Sequence, residues 1–228
     1  MKYILFIVLF MLLQACASNQ TDSLNSNNEP SKNQVLNYEK SDADYLALIA
    51  KIKNNSASAQ DYDTLLKLYP LTSFYGASAK NEQKAKLLSQ SSMEAQNWQK
   101  CFELNQALLA LNYTSLTGHY GAAICATEMS DIDTGRYHHF VLDSFIEAIW
   151  RTGNGQTPQT PFVINSAPDL YAFIQLHQMV ATGQAFTYVN DLPIQAIKVQ
   201  NPETMRSSTW YFDVTAQFRR GLIDQLER

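Results

Sequence analysis

The sequence predicts an α+β fold in which N-terminal helical hairpins pack on a small C-terminal antiparallel α+β module. Three observations carry that expectation. Between about residues 41 and 153, apolar residues recur at i, i+3, i+4 and i+7, the spacing of one helix face. Beyond Gly153 the pattern shifts to short alternating runs such as Trp210-Tyr211-Phe212-Asp213-Val214, as on a half-buried strand. A turn-rich stretch from Thr152 to Pro161 separates the two regimes.

At the N-terminus, Lys2 precedes an apolar run from Tyr3 to Leu13, the length of a signal-peptide core and too short to span a bilayer. Leu13-Gln14-Ala15-Cys16 then resembles a bacterial lipobox. The resemblance implies cleavage after Ala15 (residues 1–15 being the signal) and acylation of Cys16; the alternative is an ordinary cleaved signal with a chance cysteine. Each buried methylene of such a chain contributes about 0.8 kcal/mol, so two or three chains anchor firmly where one does not. Ala17 in place of an aspartate resembles outer-membrane sorting. Residues 16–34 are nearly all Ser, Asn, Gln, Thr and charge, which cannot offset ordering entropy, and they read as a lipidated flexible tether.

The helical region is expected over residues 35–152. Ser41-Asp42-Ala43-Asp44 reads as a capped start, followed by the stripe Tyr45, Leu48, Ile49, Ile52; Asn54-Asn55 breaks it. Ser58 caps a second helix carrying Tyr62, Leu65, Leu66 and Tyr69, and Pro70 stops it. Leu71 to Ala79 reads as a loop that exposes Phe74 and Tyr75, and Lys80 to Ser89 as a short polar helix. A helix is predicted from Met93 to Leu111, with Trp98, Cys101, Phe102, Leu108 and Leu109 on one face. After the turn Asn112-Tyr113-Thr114, a second runs from Leu116 to Met129, where Gly118, Gly121, Ala122 and Cys125 allow close helix approach. A third carries Tyr137, Phe140, Val141, Phe145, Ala148 and Ile149, and Gly153 ends it.

Residues 153–228 form the expected α+β module: strands at Phe162–Ile164, Ala185–Val189, Ile194–Val199 and Ser208–Val214, with helices at Pro168–Met179 and Thr215–Leu226. An antiparallel meander is expected.

Composition narrows the function. The net charge of −4 becomes −5 once Lys2 is removed, which argues against nucleic acid, whose binding needs a basic face. Cys101 and Cys125 remain after the signal is removed. Export to an oxidising compartment and their equal distance from the turn at Tyr113 favour a disulfide; the alternative is two buried thiols.

Two resemblances follow from these residues. Trp98…Ala107 and Tyr137…Ala148 occupy similar places on helices about forty residues apart, so the hairpins resemble tetratricopeptide repeats. The run Ala148-Ile149-Trp150-Arg151-Thr152-Gly153-Asn154-Gly155, then Thr160-Pro161-Phe162-Val163-Ile164, Leu170-Tyr171 and Trp210-Tyr211-Phe212-Asp213-Val214, resembles domain-of-unknown-function family 4919 of bacterial envelope proteins. Tyr62…Leu68-Tyr69…Tyr75 is similar to its aromatic front end, so the likeness runs from about Asp44 to the C-terminus as one continuous domain. The chain departs from the family pattern at Thr152-Gly153-Asn154-Gly155 and at Asp169-Leu170, each time losing an acid. The resemblance implies fold and location but no activity.

Candidate chemistry is sparse. His138 and His139 are adjacent on a helix and point about 100° apart. His139 and Asp143, at i and i+4, share a face and are the weak candidates for a metal, with Asp131, Asp133 or His119 completing a site; no HExxH or CxxC supports it, so no metal or other cofactor is expected. Gly153-Asn154-Gly155 has a helix before it rather than a strand and reads as a helix C-cap and turn. No nucleophile motif is present. Phe74 and Tyr75, placed on a loop, are the candidate interaction residues.

The expectation is a non-enzymatic envelope lipoprotein, held by its N-terminal lipid in the outer membrane facing the periplasm, that binds a protein or peptide partner. The alternative is an envelope hydrolase with a site between the helical and α+β modules.

Overall fold

The computed structural model describes residues 38–76 and 80–226, so the signal segment, Cys16 and the tether lie outside the described residues. The first helix, α1 (Tyr38–Lys53), buries Tyr45, Ile49 and Ile52, the stripe its spacing dictates. It starts before the predicted cap at Ser41. Asp42 instead accepts from the Ser73 backbone N–H at 2.8 Å, fastening the later loop to α1. Asn55 adopts a left-handed φ of 54° and turns the chain.

In α2 (Ala59–Leu68), the Asp61 carboxylate accepts from the Ser58 N–H and hydroxyl, each at 2.8 Å, which closes the first turn. Those bonds, with Lys51 at 2.9 Å, hold Asp61 down to about 2. Pro70 tightens the exit into a 3-10 turn, Tyr69–Leu71.

The middle of the chain differs from expectation. The two helices expected at Lys80–Ser89 and Met93–Leu111 are α3 (Lys80–Glu94) and α4 (Trp98–Leu111), with the break between them later than expected. Gln96 takes a φ of 54°, and the Asn97 side chain accepts from Lys100 N–H at 3.2 Å. A local cap thus fixes where the second helix starts. Then come α5 (Leu116–Glu128), capped by Ser115, and α6 (Ile132–Trp150), capped by Asp131. From α3 to α6 each helix packs on the next. Cys101 of α4 and Cys125 of α5 are joined by a disulfide with Cα atoms 6.0 Å apart.

The C-terminal part holds β1 (Phe162–Val163), α7 (Ala167–Leu176), β2 (Val180–Val189), β3 (Leu192–Gln200), β4 (Ser207–Asp213) and α8 (Thr215–Leu226). The sheet order is β1-β4-β3-β2. β2, β3 and β4 make the expected antiparallel meander, but β1 pairs parallel with β4, so the sheet is mixed. The reason is connectivity: α7 carries the chain across the sheet before β2 begins, so β1 enters beside the last strand.

One apolar cluster extends from Tyr45 and Tyr62 through Phe145 and Ile149 to Phe173, Ile197 and Phe212. Helices and sheet therefore share a core. Among the described residues no helix is long and apolar enough to cross a membrane.

Candidate functional site

Two polar constellations inside the core concern the site. The first begins at the α4–α5 turn. Asn112 accepts from the Thr114 N–H at 2.9 Å and hydroxyl at 2.8 Å, an Asx turn that sets Tyr113 inward. The Tyr113 N–H donates to Tyr45 Oη at 3.0 Å, and its hydroxyl meets that of Tyr137 on α6 at 2.5 Å.

One turn into α5, His119 is fully buried. Its Nε2 lies 2.9 Å from the Tyr113 carbonyl, its Nδ1 3.0 Å from Nδ1 of His138, and His138 Nε2 3.0 Å from the Gln106 amide nitrogen. These contacts assign every ring proton. A carbonyl only accepts, so His119 Nε2 carries hydrogen and its Nδ1 is bare. His138 Nδ1–H donates to it, and the Gln106 amide donates to the remaining bare nitrogen. Both rings are neutral. Burial, aided by its imidazole neighbour, pushes His119 down to about 3, and burial pushes His138 to about 4.

The outer part of this chain of bonds borders a groove of about 540 Å³ between α4 and α6, lined by Lys53, Phe102, Gln106, Tyr113, Tyr137 and His138. Lys53 Nζ sits 5.6 Å from the centre of the Tyr113 ring, at cation–π range. The groove offers aromatic faces, one amide edge and one cation. It holds no free base and no nucleophile paired with one.

The second constellation is a pair of buried carboxyls. Asp169 lies in the first turn of α7, accepting from the Ser166 hydroxyl at 2.8 Å and from the Leu116 N–H of α5 at 2.9 Å. It therefore ties two helix N-termini, whose free N–H groups favour an anion. Glu82 of α3 accepts from the Tyr69 hydroxyl at 3.2 Å. Asn112 donates to Asp169 at 3.5 Å and lies near enough to Glu82 to favour its charged form. Desolvation first, then the charge of Asp169, raises Glu82 to about 7; desolvation raises Asp169 against its many hydrogen bonds.

The residues singled out in the sequence fall elsewhere. His139 and Asp143 form an exposed pair at 3.1 Å on the outer face of α6. His119 does not join them, because it pairs with His138 on the inward side of α6. Asp131 caps α6, and Asp133 pairs with Arg136 at 3.7 Å. Among the described residues no three His, Cys, Asp or Glu side chains gather at ligand spacing. Phe74 is exposed as expected, with its ring 5.6 Å from that of Tyr45. Tyr75 corrects the expectation of an exposed pair: it is buried, donating to the Asn165 carbonyl at 2.7 Å. A loop ring with a distant carbonyl to satisfy is drawn into the core.

The glycine pair is structural. Gly155, at φ +63°, lies against the Phe162 ring and exchanges backbone bonds with Thr160 and Tyr211, while α6 already ends at Arg151. Sequence reasoning passed over Glu82 and Gln106 and assigned no site role to Tyr113, Tyr137 and Asp169. Only Asp169 carried a local signal, three residues after the capping Ser166.

Residues 31–220 match the family model described as domain of unknown function (DUF4919). No curated protein and no solved structure matches the chain.

Proposed function

We propose that this chain, which belongs to the domain-of-unknown-function family DUF4919, is an envelope lipoprotein that binds a protein or peptide and performs no chemistry itself. The observation that supports binding most is the α4–α6 groove. Its Phe102, Tyr113 and Tyr137 rings offer large contact area at small side-chain entropy cost, and Gln106 supplies a polar edge. Lys53 favours a peptide with a carboxylate at that end. His138 in the groove wall and His119 buried behind it are neutral and fully engaged with each other and their neighbours, so neither serves as a general base. The stacked antiparallel helices α3 to α6 support a repeat-like reading of residues 35–152, with 153–228 as the second module.

Location is part of the same proposal. The lipobox-like residues before Cys16 support acylation there and a place in the outer membrane, facing the periplasm. A photo-crosslinking residue at Ala110 on the groove rim of the full chain, tested in intact cells, should give a defined adduct that Lys53→Glu removes. The same probe at the exposed Phe140 should give none. Equal adducts from both positions, or none from either, would overturn the groove as the binding site. Mass spectrometry of the mature N-terminus tests Cys16 separately.

The alternative, an envelope hydrolase, draws support from Glu82 and Asp169, two raised carboxyls between α3 and α7. General-acid catalysis needs such a group beside a substrate. Here both acids are buried, 6% and 3% exposed, and neither lines a described cavity.

A further inference from the structure

We propose that β2 is a dimerisation edge, pairing antiparallel with β2 of a second copy about a two-fold axis at Phe186. β2 is the outermost strand of the meander, all but two of its ten residues are exposed, and Val180 to Val189 contains no charge and no proline. Exposed strands normally carry a charge or proline to discourage pairing; this one carries neither.

The hydrogen-bonding groups of that edge follow from the hairpin. Asn190 and Asp191, both at positive φ (49° and 63°), form a two-residue type I′ turn, which makes Val189 and Leu192 a hydrogen-bonded pair. Alternation then directs the backbone of Gly183, Ala185, Thr187 and Val189 toward β3. The N–H and C=O groups of Gln184, Phe186 and Tyr188 point away from it. Pro193, opposite Tyr188, agrees with this phase: it has no N–H, and its carbonyl serves Val214 on the β4 side.

Those outward groups are self-complementary. Placing Phe186 opposite Phe186 of a second copy puts Gln184 opposite Tyr188 and Tyr188 opposite Gln184. All three are hydrogen-bonded pairs, each exchanging two bonds. The irregularity at Thr182 lies outside this regular part. The pairing also covers apolar surface on one face. Phe186 is 52% and Tyr188 65% exposed, and Phe218 of α8 stacks edge-on to Phe186 at 5.8 Å and is itself exposed. A second copy answers this surface because the two-fold sets Phe186 against Phe186 and each Tyr188 against Gln184, so no charge meets the uncharged strand.

The test uses the full chain in detergent micelles. Sedimentation over a 100-fold concentration range should show twice the monomer mass, and Phe186→Lys, which sets two like charges face to face, should shift it to monomer with unchanged circular dichroism. Phe186→Cys should crosslink to itself on oxidation, since a hydrogen-bonded pair has Cα atoms about 5.5 Å apart. Gln184→Cys should crosslink only when mixed with Tyr188→Cys. A wild-type monomer throughout, a dimer untouched by Phe186→Lys, or a strand supplied only by a different protein would overturn the proposal.

Discussion

Gly121 of α5 faces the Asn105 side chain of α4 so closely that a Cβ built on it would stand 2.3 Å from Oδ1. Asn105 is fully buried and cannot move aside cheaply, because its amide donates to Ser89 Oγ at 2.7 Å and to the Cys101 carbonyl at 2.9 Å. A hydrogen in place of a methyl thus sets the separation of two helices that the disulfide also joins.

Gly121→Ala should therefore destabilise the protein by about 1–3 kcal/mol, the range for overpacking a filled core. Gly183→Ala on β2, where the new Cβ would meet only Lys198 Cβ at 3.8 Å, is the matched control and should be near neutral. Urea unfolding of both variants separates the two cases.

The neutral histidine pair makes stability depend on acid. Each imidazole titrates near 6.5 when unfolded but only near 3 or 4 when folded, so below 6.5 the unfolded chain binds more protons. Stability falls as pH drops through that window, by about 1.4 kcal/mol per pH unit for each ring. The difference in unfolding free energy between parent and His119→Asn should accordingly shrink from pH 7 to pH 5, whereas a pH-independent difference would contradict the tautomer assignment.

Glu82 acts in the opposite direction. Its folded value near 7 lies above the ordinary 4.5, so the stability of the protonated form is complete below 4.5 and is lost as pH rises toward 7. Glu82→Gln, which keeps an acceptor for the Tyr69 hydroxyl, should leave stability near pH 4.5 unchanged and raise it by roughly 2–3 kcal/mol at pH 8. Chemical denaturation at the two pH values reads this directly.

Removing the crosslink tests the hairpin. Cys101 and Cys125 are 24 residues apart, and closing a loop of that size stabilises by about 3 kcal/mol through the unfolded state. The Cys101→Ala/Cys125→Ala double variant should lose about that much at every pH from 5 to 8. A loss confined to acid would point instead to the buried histidine pair.

What the sequence determined by itself is local. The apolar period placed α1, α2, α5 and α6, and side-chain caps such as Ser58 and the Asn190-Asp191 turn depend only on residues a few positions away. The same locality explains why the break expected between Ser89 and Met93 falls at residues 95–97, where Asn97 caps α4. Tertiary structure alone decided the polar interior. His119 finds His138 at a separation of 19 residues, Asp169 finds Leu116 at 53, and Tyr75 finds Asn165 at 90. Periodicity reports which side of an element meets the core, but a buried hydrogen bond requires knowing what stands opposite. That is settled only when distant helices pack and every desolvated donor must find an acceptor.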